Sequence, residues 1–306
     1  MLVVAIVLPC CFEILSLNCG TLMKETLRYL AGIVGPSGYG SKSTAEQVAN
    51  SCSYLVDSQR LTAIITGATS GIGEETARAV AKRGVRVVIP ARDIKKAAEL
   101  KERIRKDNPN AEVILCEIDL SSLASVKRFC NEFLALGLPL NILINNAGIF
   151  SQKLEFSEDK FEMTFATNYL VLILPIYCWC CTCSYNGTRA YAQSKLATIL
   201  HAKEIAKQLK AKNANVTINA VHPGIVKTGI FRAHKGFITG KNLHIPGAST
   251  SCYVALSPQV EGMSGKYFVD CNESNCSVLA NDESEARRLW RQTRALIRRR
   301  LYQTPC

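Results

Sequence analysis

Apolar residues along this chain fall into short blocks separated by charged stretches of helical period. From residue 61 onward, 61–66, 85–90, 112–117 and 140–145 are brief runs rich in Val, Ile and Leu. Runs of that length predict strands buried on both faces. Between them, residues 72–83, 93–106 and 121–135 repeat apolar positions at helical spacing. Strands alternating with helices in this way predict right-handed βαβ units and a parallel sheet. The pattern further predicts helices over 158–174 and 190–210, a strand over 216–221, a last strand over 265–269 and a closing helix over 283–301. There is no internal repeat.

The first sixty residues follow a different texture. Residues 2–8 are apolar, but Pro9 and Glu13 interrupt the run and the first basic residue is Lys24. A membrane-spanning helix needs about 20 apolar residues. A secretory signal needs a positive start and a longer apolar stretch. Neither is present, and Met23 with Lys24, Glu25, Leu27 and Arg28 makes a more convincing start, so residues 1–22 read as dispensable or wrongly translated. Residues 31–60, rich in Gly, Ser and Thr, predict a loop-rich lead-in. The expected organisation is an extension and lead-in over 1–60, an α/β domain over 61–282 and a basic C-terminal helix over 283–306.

Composition changes this picture in two places. With 48% hydrophobic and 20% charged residues, the chain has the makings of a globular core and is neither disordered nor fibrous. Of its net charge of +12, the stretch 287–301 supplies seven arginines and no acid, so the basic character belongs to the tail. No base-reading or stacking platform accompanies those arginines, which argues against nucleic acid. The 14 cysteines are too sparse for a disulfide scaffold, and the thiols read as reduced in an intracellular compartment. Cys178/Cys181 and Cys180/Cys183 are each C-x-x-C, but they interleave and lack a second ligand pair, so no metal site is expected.

The first strand runs into Thr66-Gly67-Ala68-Thr69-Ser70-Gly71-Ile72-Gly73. Glycines so placed let the backbone turn tightly and bring the N–H groups of a helix start to a pyrophosphate. Taken alone, the run also fits a plain strand–helix turn. The second strand ends at Ala91-Arg92, where an acid would take the ribose hydroxyl of NAD and an arginine suits the 2′-phosphate of NADP. Asp93, one place later, is expected to cap the next helix. Tyr191 and Lys195 stand four apart at the head of a helix, on one face, where an ammonium would favour phenolate and fit the tyrosine for proton transfer.

In order along the chain, this glycine turn, Asp119-Leu120, Asn145-Asn146-Ala147-Gly148, Asn168, Tyr191/Lys195 and Pro223-Gly224 with Thr228 resemble the motif set of the short-chain dehydrogenase/reductase family, over about residues 60–300. Within it the chain is similar to retinol-dehydrogenase-like reductases and to plant reductases of the chloroplast inner-envelope import translocon. Gly35-Pro36-Ser37-Gly38-Tyr39-Gly40, Ser43-Thr44-Ala45-Glu46 and Cys252-Tyr253-Val254-Ala255-Leu256 carry the latter similarity. The resemblance implies an α/β, Rossmann-type doubly wound parallel sheet, NADP(H) as cofactor and a carbonyl or alcohol as substrate. It also implies a peripheral place at the chloroplast inner envelope beside the import translocon, the cytoplasm being the alternative.

By the same resemblance, Gly67, Ser70, Gly71, Ile72 and Gly73 would hold the pyrophosphate and adenosine ribose, with Arg92 on the 2′-phosphate. Asp119 and Leu120 would flank the adenine, and Asn146, Ala147 and Gly148 its ribose. Tyr191 would be the acid/base and Lys195 would hold the nicotinamide ribose and depress the tyrosine. Asn168 would anchor a water of the proton relay, and Pro223, Gly224 and Thr228 would line the nicotinamide.

One departure bears on activity. The family carries a substrate-holding serine at the end of its fifth strand, yet only 22 residues separate Asn168 from Tyr191, so a strand is missing or replaced. Readings of the bridge are a damaged site, or a substitute strand over 176–181 with Thr182 or Ser184 as the hydroxyl. A second shortening lies between Phe237 and Pro246. The four histidines show no ligand spacing, and His222 before Pro223 reads as structural. In the tail, Ala286, Leu289, Trp290, Leu296, Ile297 and Leu301 form one stripe, which fits a closing helix or, as in the resembling plant reductases, a calmodulin target over 283–301. A non-catalytic NADP-binding or calmodulin-binding protein is thus the alternative to an enzyme.

Overall fold

The computed structural model describes residues 1–8, 27–52, 61–170, 185–224 and 244–302. Thr228, the cysteine cluster at 178–183 and the two hydroxyl candidates Thr182 and Ser184 lie outside these residues.

The strands expected from residue 61 form as β2 (Thr62–Ile65), β3 (Arg86–Ala91), β4 (Val113–Glu117) and β5 (Ile142–Asn145). The helices between them are α2 (Gly71–Lys82), α3 (Ile94–Asp107) and α4 (Leu123–Ala135). Asp93 caps α3 as expected, its carboxylate accepting from the Lys96 N–H at 3.1 Å. Then come α6 (Gly187–Ala211), β6 (Val216–His222), α7 (His244–Leu256), β7 (Tyr267–Val269) and α8 (Glu283–Tyr302). A short antiparallel strand β8 (Asn272–Ser274) closes the edge.

The missing strand is replaced, and from an unexpected place. Leu2–Val7 forms β1, and the sheet order is β4-β3-β2-β5-β1-β6-β7-β8. β1 runs parallel to both neighbours, with Val3 opposite Ile142 and Thr217. The expectation that residues 1–22 are dispensable therefore fails for Leu2–Val7. Its uninterrupted apolar run is what a central parallel strand needs, since both faces are covered. Ala5 and Val7 join the core beneath α7, whereas Val4 and Ile6 pack with Ala202 and Ala206 of α6.

Two further differences from the sequence reading have local causes. The lead-in contains α1 (Ala45–Ser51), started by a capping box in which Thr44 and Gln47 each bond the other's backbone N–H. Of the helix expected over 158–174, the described part is a short α5 (Met163–Phe165) continuing into a π-turn, Ala166–Leu170, and 171–174 lie outside the described residues. Before it the chain folds back, with Lys160 in the left-handed region at φ 61° and the Asp159 carboxylate accepting from the Leu123 N–H at the start of α4. No helix among the described residues is long and apolar enough to cross a membrane.

α8 closes the domain. Its Ala286 and Thr293 are buried, and Leu289 and Leu296 pack with Tyr169 and Ala197. The Thr293 hydroxyl lies 3.1 Å from the Tyr169 hydroxyl, which also reaches His201, and the Trp290 ring stands edge-on to His201 at 5.0 Å. All seven arginines of 287–301 are exposed, with Arg294 and Arg300 lying over the Trp290 and Phe161 rings.

Candidate active site

The candidate residues converge on the carboxyl ends of the parallel strands, around the point where strand order reverses between β3-β2 and β5. That is where open α/β sheets bind their ligands. Gly67 turns at φ 64°, and a Cβ there would stand 2.7 Å from the Ala147 Cα, so the two loops meet only because this residue is glycine. At Gly73, a Cβ would collide with the Asn146 side chain and the Gly67 carbonyl. Asn146 fastens the contact by donating to the carbonyls of Thr66 (3.1 Å) and Gly67 (3.2 Å). The Thr66 hydroxyl accepts from the N–H groups of Asn146 and Ala147, both at 3.1 Å. Nothing in the glycine motif itself assigns Thr66 a role. Its part in joining the ends of β2 and β5 emerges only when the strands are side by side.

Ser70 is the N-cap of α2 but makes no side-chain cap bond, unlike Asp93, Ser122 and Asn186 at the starts of α3, α4 and α6. The first-turn N–H groups of this helix therefore face outward from the glycine turn without a capping side chain. Such a turn is suited to a phosphate, which would take those donors and the positive end of the helix dipole.

Arg92 is exposed just beyond β3, and its charge helps draw down the Asp119 carboxyl. Burial works the other way on Asp119 and is outweighed by the Ser121 hydroxyl (2.7 Å) and N–H (2.8 Å), with Arg92 adding to them. Leu120 beside it packs against the core under α4.

At the other side stand the titratable groups. Asn168, buried in the π-turn, accepts from the Ile149 N–H at 2.7 Å and donates to the Ile149 carbonyl at 2.9 Å and the Ser194 hydroxyl at 3.2 Å. It thereby clamps the strand that leaves β5. A Cβ on Gly148 would lie 3.3 Å from the Asn168 Oδ1 and 3.4 Å from the Lys195 Nζ, which places both groups over the same backbone. Tyr191 and Lys195 share one face of α6, the Nζ 5.6 Å from the tyrosine ring centroid, with Phe150 edge-on to that ring at 5.5 Å. Burial pulls the Lys195 ammonium down from 10.5 to about 7.

Pro223 and Gly224 follow β6, with Gly224 at φ 75°. The Gly224 N–H donates to His222 Nδ1 at 3.1 Å, and burial pushes that imidazole down to about 4, so the ring stays neutral as an acceptor. Tyr29 of the helical turn over 27–31 lies against Gly224. Among the described residues, no group of three or more His, Cys, Asp or Glu is placed to hold a metal ion.

A sheet of this order with a glycine turn at its switch point and a buried Tyr/Lys pair on the following long helix defines a Rossmann-type oxidoreductase scaffold. The short-chain dehydrogenase family model matches residues 61–179, and the chain belongs to that family. It is 40% identical to short-chain dehydrogenase TIC 32 B, a chloroplastic protein of Brassica napus, over 87% of this chain and 96% of that one. It is 36% identical to human retinol dehydrogenase 14, covering 75% and 84% of the two chains. Among solved structures, an uncharacterised protein from Mycobacterium paratuberculosis superposes with a TM-score of 0.63 at 25% identity, covering 78% and 93%. A short-chain dehydrogenase from Escherichia coli, solved with NADPH, shares the fold with a TM-score of 0.55 at 17% identity, over 70% and 98%.

Proposed function

We propose that this chain is an NADP(H)-dependent carbonyl reductase or alcohol dehydrogenase with Tyr191 as its acid/base. The observation that carries this reading is the buried Tyr191/Lys195 pair, with the Lys195 Nζ over Gly148 beside Asn168, at the same carboxyl end of the sheet as the glycine cradle. The cradle fits a dinucleotide: glycine at 67 and 73 lets the turn pack directly on Ala147 and Asn146, and the Ser70 side chain leaves the α2 donors uncapped. Bound there, the nicotinamide would supply or accept hydride.

The chain's own groups would do the rest. Gly71 and Ile72 would present backbone N–H groups to the pyrophosphate, and Arg92 would face the 2′-phosphate. Asp119 and Leu120 would border the adenine, with Asn146, Ala147 and Gly148 holding the ribose side. Lys195, when protonated, would favour the Tyr191 phenolate, so that the hydroxyl can give its proton to a substrate oxygen or take it back. Pro223, Gly224 and Thr228 would border the nicotinamide. The family's fifth-strand serine has no counterpart directly after β1, where Leu8, Pro9, Cys10 and Cys11 follow. Without a serine at that position, turnover would be correspondingly slow. The chloroplastic relatives support a place in the chloroplast; a peripheral position at the inner envelope beside the import translocon is the finer proposal that the resemblance implies.

Arg92 tests the cofactor choice. Arg92→Ala is expected to weaken NADPH binding by roughly 10–100-fold, the worth of a hydrogen bond to a charged group, and to leave NADH binding unchanged. Thermal shifts with each nucleotide measure this, and equal losses for both would remove Arg92 from the phosphate.

The calmodulin reading of 283–301 meets an obstacle in the fold. Trp290, which would anchor such a complex, is engaged with His201, and Thr293 with Tyr169. A 280–303 peptide is expected to shift its Trp290 fluorescence to the blue with calcium-loaded calmodulin, whereas the whole protein is not. A blue shift from the whole protein would show that α8 leaves its seat.

A further inference from the structure

We propose that residues 2–7 are a spacer strand that sets the width of the candidate active site, and that the slot between β5 and β6 receives it as a separate extended apolar segment. β1 is paired on both sides, from Val3↔Ile142 to Ile6↔Asn145 and from Leu2↔Val216 to Val7↔Val221. Neighbouring strands lie about 4.8 Å apart. With β1 between them, β5 and β6 are two such spacings apart. Without it, the sheet either splits or closes up by one.

The two strands it separates carry opposite sides of the site. β5 leads into Asn146, Ala147 and Gly148, and β6 into Pro223 and Gly224. A closure of one strand spacing would move these groups relative to each other by about 5 Å, whereas a misplacement of about 1 Å already damages catalytic geometry. The glycine turn, Arg92 and Asp119 hang from β2, β3 and β4, all on the far side of β5 from β1. β1 should therefore govern binding of the nicotinamide half and leave the adenosine half alone. This last step rests on the cofactor reading above, but the strand assignment does not.

The connection makes the strand separable. β1 leaves the sheet beside β6, where the Leu8 N–H donates to the Val221 carbonyl at 2.7 Å. The chain is next described at the turn over 27–31, whose Tyr29 lies on Gly224, three residues further along. The two ends of the intervening stretch are thus close together, and a cut within it should leave β1 seated.

The test uses the full-length protein with a protease site placed within 9–26. Amides of Val3 to Val7 should resist hydrogen exchange in the uncut protein, and after cleavage the N-terminal fragment should co-elute with the remainder on gel filtration. Introduced into the same cleavable protein, Ala5→Asp should abolish that retention after cutting. The same change should weaken NADPH binding at least tenfold, with adenosine 2′,5′-bisphosphate held within about twofold because the adenosine cradle is untouched. Rapid exchange of these amides overturns the strand, as does release of the fragment with an unchanged melting temperature. Equal losses for NADPH and the bisphosphate overturn the spacer role. If the unmutated protein binds neither nucleotide, the cofactor reading and the spacer role fall together, and hydrogen exchange still decides the strand.

Discussion

Tyr191→Phe is expected to lower carbonyl reduction by about 10²–10⁴-fold, the usual contribution of a positioned acid/base, with NADPH binding unchanged. The substitution removes one oxygen and keeps the ring. The ring's packing against Phe150 and its position on α6 beside Lys195 should survive. What disappears is the only proton the Tyr191 side chain can give. Single-turnover hydride transfer, followed at 340 nm beside a direct NADPH titration, separates the two effects. Retained turnover would mean that another group supplies the proton, whereas loss of NADPH binding would mean that the hydroxyl serves the cofactor.

Lys195→Met should stabilise the cofactor-free protein, and by an amount that depends on pH. The folded-state ammonium is pulled from 10.5 to about 7 by burial. Between those values the unfolded chain keeps a proton that the folded chain has lost, so stability rises with pH across that window. Below about 7 both states are charged and the full burial penalty is present. Above about 10.5 both are neutral and it is gone. At about 1.4 kcal/mol per pKa unit, the gap between variant and parent should reach at most about 5 kcal/mol in acid. It should narrow toward nothing at high pH. Urea melts of both proteins at pH 6, 8 and 9.5 measure it, and a constant gap would contradict the burial account. The same variant should lose turnover, because methionine cannot favour the phenolate. Lys195 would thus trade fold stability for chemistry, as active-site groups commonly do.

The strands and helices from residue 61 to 145 could be read from the sequence because each is specified locally. Short Val/Ile runs, capping residues such as Asp93 and turn glycines act within a few positions of themselves. The glycine turn, Asn146 and the Tyr191/Lys195 pair were likewise visible, since each depends on spacing along one segment. Residues 2–7 could not be placed that way. The hexapeptide is a good buried strand by composition, but its partners lie near 142 and 216, and nothing local says where a run that apolar will pair. The clamp of Asn168 on Ile149 and Ser194 was hidden for the same reason, and so was the π-turn that holds it within the expected helix. In the lead-in, the Thr44/Gln47 capping box was present in the sequence but obscured by Gly- and Ser-rich flanks.

The place of Leu2–Val7 in the sheet also sets how the chain must reach its native state. Its pairing with β6 joins positions more than two hundred residues apart, and contacts of such separation make folding slow. During synthesis this hexapeptide is made long before β5 and β6 exist to receive it. It waits meanwhile as an uncharged, β-prone segment of the kind that self-associates. Folding is then expected to end with the entry of this strand into the middle of the sheet, and the yield of native protein should depend on how well chaperones keep that segment apart until the slot has formed.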